Sequence, residues 1–225
     1  MKNTVSAIIT AGGNGTRFNG DKMLALIDGK PLIIYTLGKF QQSKNIDEII
    51  VLIKEKDIKK YQKIIKSAGF TKIKIVPAAT ERIVSVFYGV KAARNKYVIT
   101  HDGNRPLTSV NLIDKLINEV IKYGAAMTAI PPTATVKYSN DFFIKESLPR
   151  NKTWIAQTPQ GFERNLILRA LKKAIKDKYF VPTDDSELVT KLGKKVKIIP
   201  GEEINIKITF PQDVMIAEQL LKFSK

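Results

Sequence analysis

Val5-Ser6-Ala7-Ile8-Ile9-Thr10 runs straight into Ala11-Gly12-Gly13-Asn14-Gly15-Thr16-Arg17, and Lys22 follows a few residues later. The first stretch reads as a buried strand. The glycine cluster at its end reads as a turn whose backbone N–H groups can approach a polyanion closely. Arg17 and Lys22 add two cations to that turn, which suits a triphosphate. A Walker A loop is excluded, because that motif ends in Gly-Lys-Ser/Thr and here Gly15 is followed by Thr16 and Arg17. The dinucleotide fingerprint is excluded because Phe18 stands where its third Gly or Ala belongs. Three glycines alone fit an ordinary strand-to-helix turn equally well, so the rest of the chain has to decide.

Outward from the turn, strand and helix patterns alternate. Strands are expected at 5–10, 48–53, 72–76, 97–101, 125–130 and 196–199, and helices at 32–42, 57–68, 83–93, 112–123, 164–178 and 213–223. Asn111 and Pro211 stand where helices would begin, and Gly69 and Gly124 where they would end. The alternation predicts an α/β fold: a doubly wound, mainly parallel sheet covered on both faces, in a single domain spanning 1–225. One segment, 131–159, breaks the pattern with four prolines and only short extended pieces at 135–138 and 142–144. Its apolar residues, Phe142, Phe143, Ile144, Leu148 and Trp154, argue against disorder. An arm subdomain at about 132–156 that packs on a second subunit accounts for them.

Composition narrows the class. A chain of 225 residues with 44% hydrophobic content suits a globular domain with a substantial core, and no apolar run approaches the ~20 residues of a membrane span. The strand pattern starts so early that no cleavable signal segment is expected. Without cysteine there are no disulfides and no thiolate metal sites, and a cytoplasmic location is the expectation. The net charge of +17 fits attraction of small polyanions better than nucleic-acid binding, because the lysines are scattered and no aromatic-basic motif accompanies them. With 31 lysines against 7 arginines, an arginine in a turn carries more information than a lysine.

In an open α/β sheet ligands bind outside the carboxyl ends of the strands, and five polar clusters fall there. They are the glycine turn, Ala78-Ala79-Thr80-Glu81-Arg82 with Ser85, His101-Asp102-Gly103-Asn104-Arg105, Thr183-Asp184-Asp185-Ser186 and Asn205-Ile206-Lys207-Ile208-Thr209. Each has an ordinary structural explanation, such as a turn or a helix cap; their coincidence at the strand ends is what weighs against it. His101 is the only histidine and is expected to be structural. A reaction without a general base then fits best: attack of a phosphate anion on the α-phosphorus of a nucleotide, which needs cations, positioning and a metal ion.

These residues resemble the 2-C-methyl-D-erythritol 4-phosphate cytidylyltransferase family. The glycine turn with Lys22 is similar to that family's nucleotide loop, as are Glu81-Arg82 with Ser85-Val86 and His101-Asp102-Gly103 with Arg105-Pro106. The most specific match is Trp154 with Ala156-Gln157-Thr158-Pro159-Gln160-Gly161-Phe162, followed by Thr183-Asp184-Asp185 and Asn205-Ile206-Lys207-Ile208-Thr209. The blocks occur in the family's order from residue 7 to about 220.

The resemblance implies a homodimeric enzyme that transfers a cytidylyl group from CTP to a polyol phosphate with a divalent metal, expected to be Mg2+. It implies that Arg17, Lys22, Arg150 and Lys207 are catalytic. Ala11, Gly12, Gly13, Gly15, Ala79, Thr80, Arg82, Ser85 and Asp102 would bind the nucleotide. Asp102, Arg105, Arg150, Thr183 and Lys207 would bind the polyol phosphate, with Arg150 contributed across the dimer. No nucleic acid and no membrane are implied as partners. The chain departs from the family pattern at Asp21-Lys22-Met23, Ala78-Ala79, Ala134 and Asn104. A ribitol 5-phosphate cytidylyltransferase is the nearest alternative, and a non-catalytic nucleotide-binding or RNA-binding protein is the alternative of another class.

Overall fold

The computed structural model describes residues 4–13, 18 and 20–223. Gly15 and Arg17, both expected at the phosphate turn, lie outside the described residues. In chain order the elements are β1 (Val5–Thr10), β2 (Leu26–Ile27), β3 (Lys30–Pro31), α1 (Leu32–Gln42), β4 (Ile46–Lys54), α2 (Ile58–Ser67), β5 (Ile73–Ala78), α3 (Arg82–Ala92) and β6 (Tyr97–Asp102). There follow α4 (Val110–Tyr123), β7 (Ala125–Ile130), β8 (Lys137–Asn140), β9 (Phe143–Ser147), β10 (Ile155–Glu163), α5 (Arg164–Lys176), α6 (Asp185–Lys191), β11 (Lys197–Pro200) and α7 (Gln212–Phe223).

A seven-stranded sheet in the order β11-β7-β10-β6-β1-β4-β5 organises the chain. All of its pairings are parallel except those of β10, which runs antiparallel to both β6 and β7. Side chains alternate across the sheet as the twofold period of a strand requires. In β1, Val5, Ala7 and Ile9 face one core and Ile8 the other; in β4, Ile49, Val51 and Ile53 face the first and Ile50 and Leu52 the second. α1 and α4 cover the first face, and α3 and α5 the second. Gly89 lets α3 lie close on the sheet: a Cβ there would come 2.7 Å from a methyl of Ile8.

Two expectations are corrected. α4 begins at Ser109, whose side chain accepts a hydrogen bond from the Leu112 N–H at 2.9 Å; Asn111 lies inside the first turn. The irregular segment also ends earlier than 159, because Ile155–Glu163 is a strand in the middle of the sheet. Its register shifts between Ala156 and Gln160, and Pro159 sits in that shift, where no ladder hydrogen bond is needed from it. The remainder of the segment forms the β8–β9 hairpin, a separate two-stranded sheet with every strand residue exposed.

Candidate active site

The chain leaves β1 toward β4 and β5 on one side and later places β6 on the other, so a topological switch point lies between β1 and β6. Ala11, Gly12 and Gly13 follow β1 there, and Asp102 ends β6. The Ala11 N–H continues the ladder to the Leu52 carbonyl at 3.1 Å, and the Gly103 N–H reaches the Thr10 carbonyl at 2.9 Å. A Cβ on Gly12 would come within 2.5 Å of the Ala78 Cβ, so only glycine lets this turn lie against the end of β5.

A cleft of about 200 Å³ opens beyond these strand ends, with Gly12, Gly13, Lys22, Ala79, Thr80 and Ser85 in its wall. Ser85 fixes the shape of the far wall. Its Oγ accepts from the Ala79 N–H at 2.9 Å and lies 3.1 Å from the carbonyls of Ala79 and Glu81, either of which accepts its proton. A second cleft of about 230 Å³ is walled by Arg105, Gln157, Thr158, Gln160, Thr183 and Asp184. Arg82, Asp102 and Lys207 border both clefts.

Charge is concentrated at that shared border. Lys207 Nζ is 2.9 Å from Asp102 Oδ2, Arg105 Nε 3.5 Å from the same oxygen, and Arg82 Nη2 3.8 Å from Oδ1. Arg82 also grips Asp185 with both ends of its guanidinium, at 2.7 and 3.2 Å. Burial disfavours the charged form of Asp102, but Lys207, Arg82 and Arg105 together outweigh it and hold its carboxyl below the usual carboxylate range. The Asp185 carboxylate is the main reason the Arg82 pKa is raised, while burial lowers that of Arg105.

Lys207 owes its position to side chains on the Asp102 turn. Asn104 Nδ2 donates to the Ile208 carbonyl at 2.5 Å and the Ile208 N–H donates back to the Asn104 carbonyl at 2.9 Å. Arg105 Nη1 donates to the Asn205 carbonyl at 2.7 Å. Lys207 therefore sits in an irregular stretch, not on a strand, and is fastened beside Asp102 from both flanks.

The structure thus brings Gly12, Gly13, Lys22, Ala79, Thr80, Arg82, Ser85, Asp102, Arg105, Thr183 and Lys207 to one region. Ala11 is buried at the base of the turn. Arg150, in a single 3-10 turn after the hairpin, is exposed and lines neither cleft. Asp184 caps α6, in line with the ordinary helix-cap explanation of that cluster. Thr183 is engaged locally, with its N–H and Oγ–H both donating to Glu187 at 2.7 and 2.8 Å. Asp185, the partner of Arg82, has no role legible in the sequence beyond membership of that cluster; the two stand 103 positions apart, and no local signal announces the pair. Gln157, Thr158 and Gln160 line the second cleft, and the family-like Gln-Thr-Pro-Gln block is the available pointer to them.

His101 is fully buried, which pushes its pKa down to about 3, and its ring lies 4.9 Å from that of Phe40. It lines neither cleft, so it is out of direct reach of anything bound there. Among the described residues no group of three or more His, Cys, Asp or Glu side chains could hold a metal ion, and no helix is long and apolar enough to cross a membrane.

Against known proteins, the 2-C-methyl-D-erythritol 4-phosphate cytidylyltransferase family profile matches residues 5–223. The protein of that name from Syntrophus aciditrophicus is 40% identical, over 99% of this chain and 97% of its own length. The one from Clostridioides difficile is also 40% identical, over 98% and 94% respectively. The crystal structure of 4-diphosphocytidyl-2C-methyl-D-erythritol synthase from Anaerococcus prevotii superposes with a TM-score of 0.89 at 34% identity, covering 99% of this chain and 100% of that one. The 2-C-methyl-D-erythritol 4-phosphate cytidylyltransferase from Thermus thermophilus gives 0.78 at 27% identity, over 96% and 98%.

Proposed function

The chain belongs to the 2-C-methyl-D-erythritol 4-phosphate cytidylyltransferase family, and from that premise we propose how its residues divide the work. The reaction is transfer of a cytidylyl group from CTP to 2-C-methyl-D-erythritol 4-phosphate in isoprenoid biosynthesis, with release of pyrophosphate. A phosphate oxygen of the acceptor attacks the α-phosphorus, and the bond from that phosphorus to the bridging oxygen of the pyrophosphate breaks. The nucleophile is already anionic, so no base has to remove a proton.

CTP occupies the first cleft. The backbone of Ala11, Gly12, Gly13 and Gly15 holds the triphosphate, and Ala79, Thr80 and Ser85 hold the base and ribose. Arg17 and Lys22 meet the charge that develops on the triphosphate. The acceptor phosphate occupies the second cleft, between Arg105, Thr183 and Lys207. The observation that carries this division is the shared border: Lys207, Arg82 and Arg105 converge on the Asp102 carboxylate where the two clefts meet. Lys22, Arg82, Arg105 and Lys207 set against the carboxylates of Asp102, Asp184 and Asp185 leave positive charge around the two clefts, where two phosphates must approach each other.

A divalent cation, in our reading Mg2+, neutralises the triphosphate. The donor set fits an ion carried by the nucleotide itself, since the described residues form no carboxylate cage and Mg2+ keeps most of its shell as phosphate oxygens and water. Arg150 completes the acceptor site from a second copy of the chain, through the hairpin arm. That assembly accounts for Arg150 lying away from both clefts of its own chain.

Pyrophosphate release from CTP with either 2-C-methyl-D-erythritol 4-phosphate or ribitol 5-phosphate, with and without chelator, tests the reading. Turnover with the erythritol acceptor alone, abolished by chelator, is expected. Full activity in excess chelator would remove the metal, and equal use of ATP would remove the base preference.

A further inference from the structure

Asp102 faces both clefts, yet its own position depends on two uncharged residues behind it. The Asp102 N–H donates to Thr158 Oγ1 at 3.0 Å. Thr158 Oγ1 lies 3.0 Å from His101 Nδ1, and His101 Nε2 lies 3.3 Å from the Arg105 carbonyl. A carbonyl only accepts, so Nε2 carries a proton. The ring is buried and neutral, which leaves Nδ1 as an acceptor. The single hydroxyl proton of Thr158 must then point at Nδ1, and its lone pairs remain for the Asp102 N–H. Every donor in this series has one acceptor, and the direction of each bond is fixed.

We propose that Thr158 and His101 form a directed, uncharged relay that positions Asp102 and Arg105 for the transfer reaction. The relay runs from the Asp102 N–H through Thr158 and the His101 ring to the Arg105 carbonyl, so it ties the two ends of the Asp102–Arg105 turn together. A direct bond from the Arg105 N–H to the Asp102 carbonyl, at 3.0 Å, closes the same turn from inside. Asn205 supplies a second tie, since its Nδ2 donates to the Thr158 carbonyl at 2.8 Å while its own carbonyl accepts from Arg105. Thr158 comes from β10, so the antiparallel strand in the middle of the sheet sets where the carboxylate stands. A neutral ring is what this place needs: an imidazolium would add a charge beside Asp102, Arg105 and Lys207 and would leave Thr158 facing a donor.

The proposal rests on the reading of Asp102 given above, and the test separates the two. His101 is the only histidine, so protein made with ¹⁵N-histidine and no histidine tag reports a single ring. At neutral pH the relay requires a protonated Nε2 and a bare Nδ1; a protonated Nδ1, or a cationic ring, overturns it without reference to catalysis. Thr158→Val keeps the side-chain shape and removes the hydroxyl. It is expected to lower kcat by about 10- to 100-fold while KM for CTP moves little, and Thr158→Ser to return to within about 3-fold of the parent, the scale of a misplaced catalytic group. A folded Thr158→Val with parental kcat overturns positioning. Should that variant fail to fold, Thr158→Ala takes its place, and the nitrogen spectrum of the intact protein still decides the relay. Parental turnover in Asp102→Asn would instead defeat the site reading, while the ring's protonation state would still decide the relay.

Discussion

The junction around Asp102 and the β8–β9 hairpin are built on opposite terms. At the junction a buried carboxylate is surrounded by three cations, and the two arginines among them are held by further partners within the same chain. In the hairpin the large apolar side chains have almost no cover: Phe142 is fully exposed, Phe143 80% and Ile144 67%. A single chain therefore assembles the charged junction from its own residues and leaves the apolar side chains of the hairpin uncovered. The first region should lose activity when one of its members is removed. The second should change who the protein associates with while leaving its fold intact.

The largest effect is expected at the junction and its phosphate turn. Lys22→Ala, Lys207→Ala and Arg17→Ala should each lower turnover by about 100-fold or more, the scale of losing a transition-state donor. Folding should change little, since Lys207 is exposed and Lys22 is only half-buried, at the start of a single 3-10 turn whose core contact is made by Met23. Steady-state kinetics beside a circular dichroism spectrum decide each case. A folded variant with near-parental turnover would show that residue to be a bystander.

The comparison sharpens when the two regions are combined. If Arg150 serves the partner's site, an Arg150→Ala chain paired with a Lys22→Ala chain has one site with both lesions and one with neither. Each variant alone should be nearly inactive, and mixing them under subunit exchange should restore part of the activity. No recovery despite proven exchange would place Arg150 outside the reaction. The same logic reaches the hairpin tip. Phe142→Ser with Phe143→Ser should convert a dimer to monomer in sedimentation without unfolding the domain, because surface changes typically alter stability by about 0.5 kcal/mol or less. A parent protein that is already monomeric at assay concentration would end the shared-site reading.

The split between the two regions also marks what the sequence could reveal. β1, α1 and β7 appear with their expected limits, because a continuous apolar run or a 3.6-residue stripe survives any tertiary context. β10 is not legible in the same way. Gln157-Thr158-Pro159-Gln160 has no apolar alternation, and its polar side chains are buried only because Asn205, Ser186 and the Asp102 turn come from afar to pair with them. The seven-residue α6 reads as a polar cluster for a similar reason: Asp185 is buried against Arg82, a partner that local pattern cannot supply. Residue types at the strand ends point to the region where the two clefts open, since the topological rule needs only strand order. The ties that orient those residues are long-range, so the sequence names most of the residues that line the clefts' shared border but not the geometry that holds them there.

The smallest expected effect lies at the edge of the second cleft, where Glu187 holds the Thr183 N–H and hydroxyl. The hydrogen bond from Tyr179 is the chief cause that lowers the Glu187 carboxyl to about 2, with Thr183 and Lys191 adding to it. Because the folded state depresses this pKa, the stabilisation is fully present above the ordinary carboxyl value of 4.5 and is lost as pH falls toward about 2. Glu187→Gln should therefore melt below the parent at neutral pH, and the gap should close on acidification between those two values. The carboxylate is partly solvated, so water and salt screen it and the difference should stay under about 1 kcal/mol. Melting curves of the two proteins across that pH range provide the check. A gap that persists unchanged at low pH would mean that the side chain stabilises by packing, not by charge.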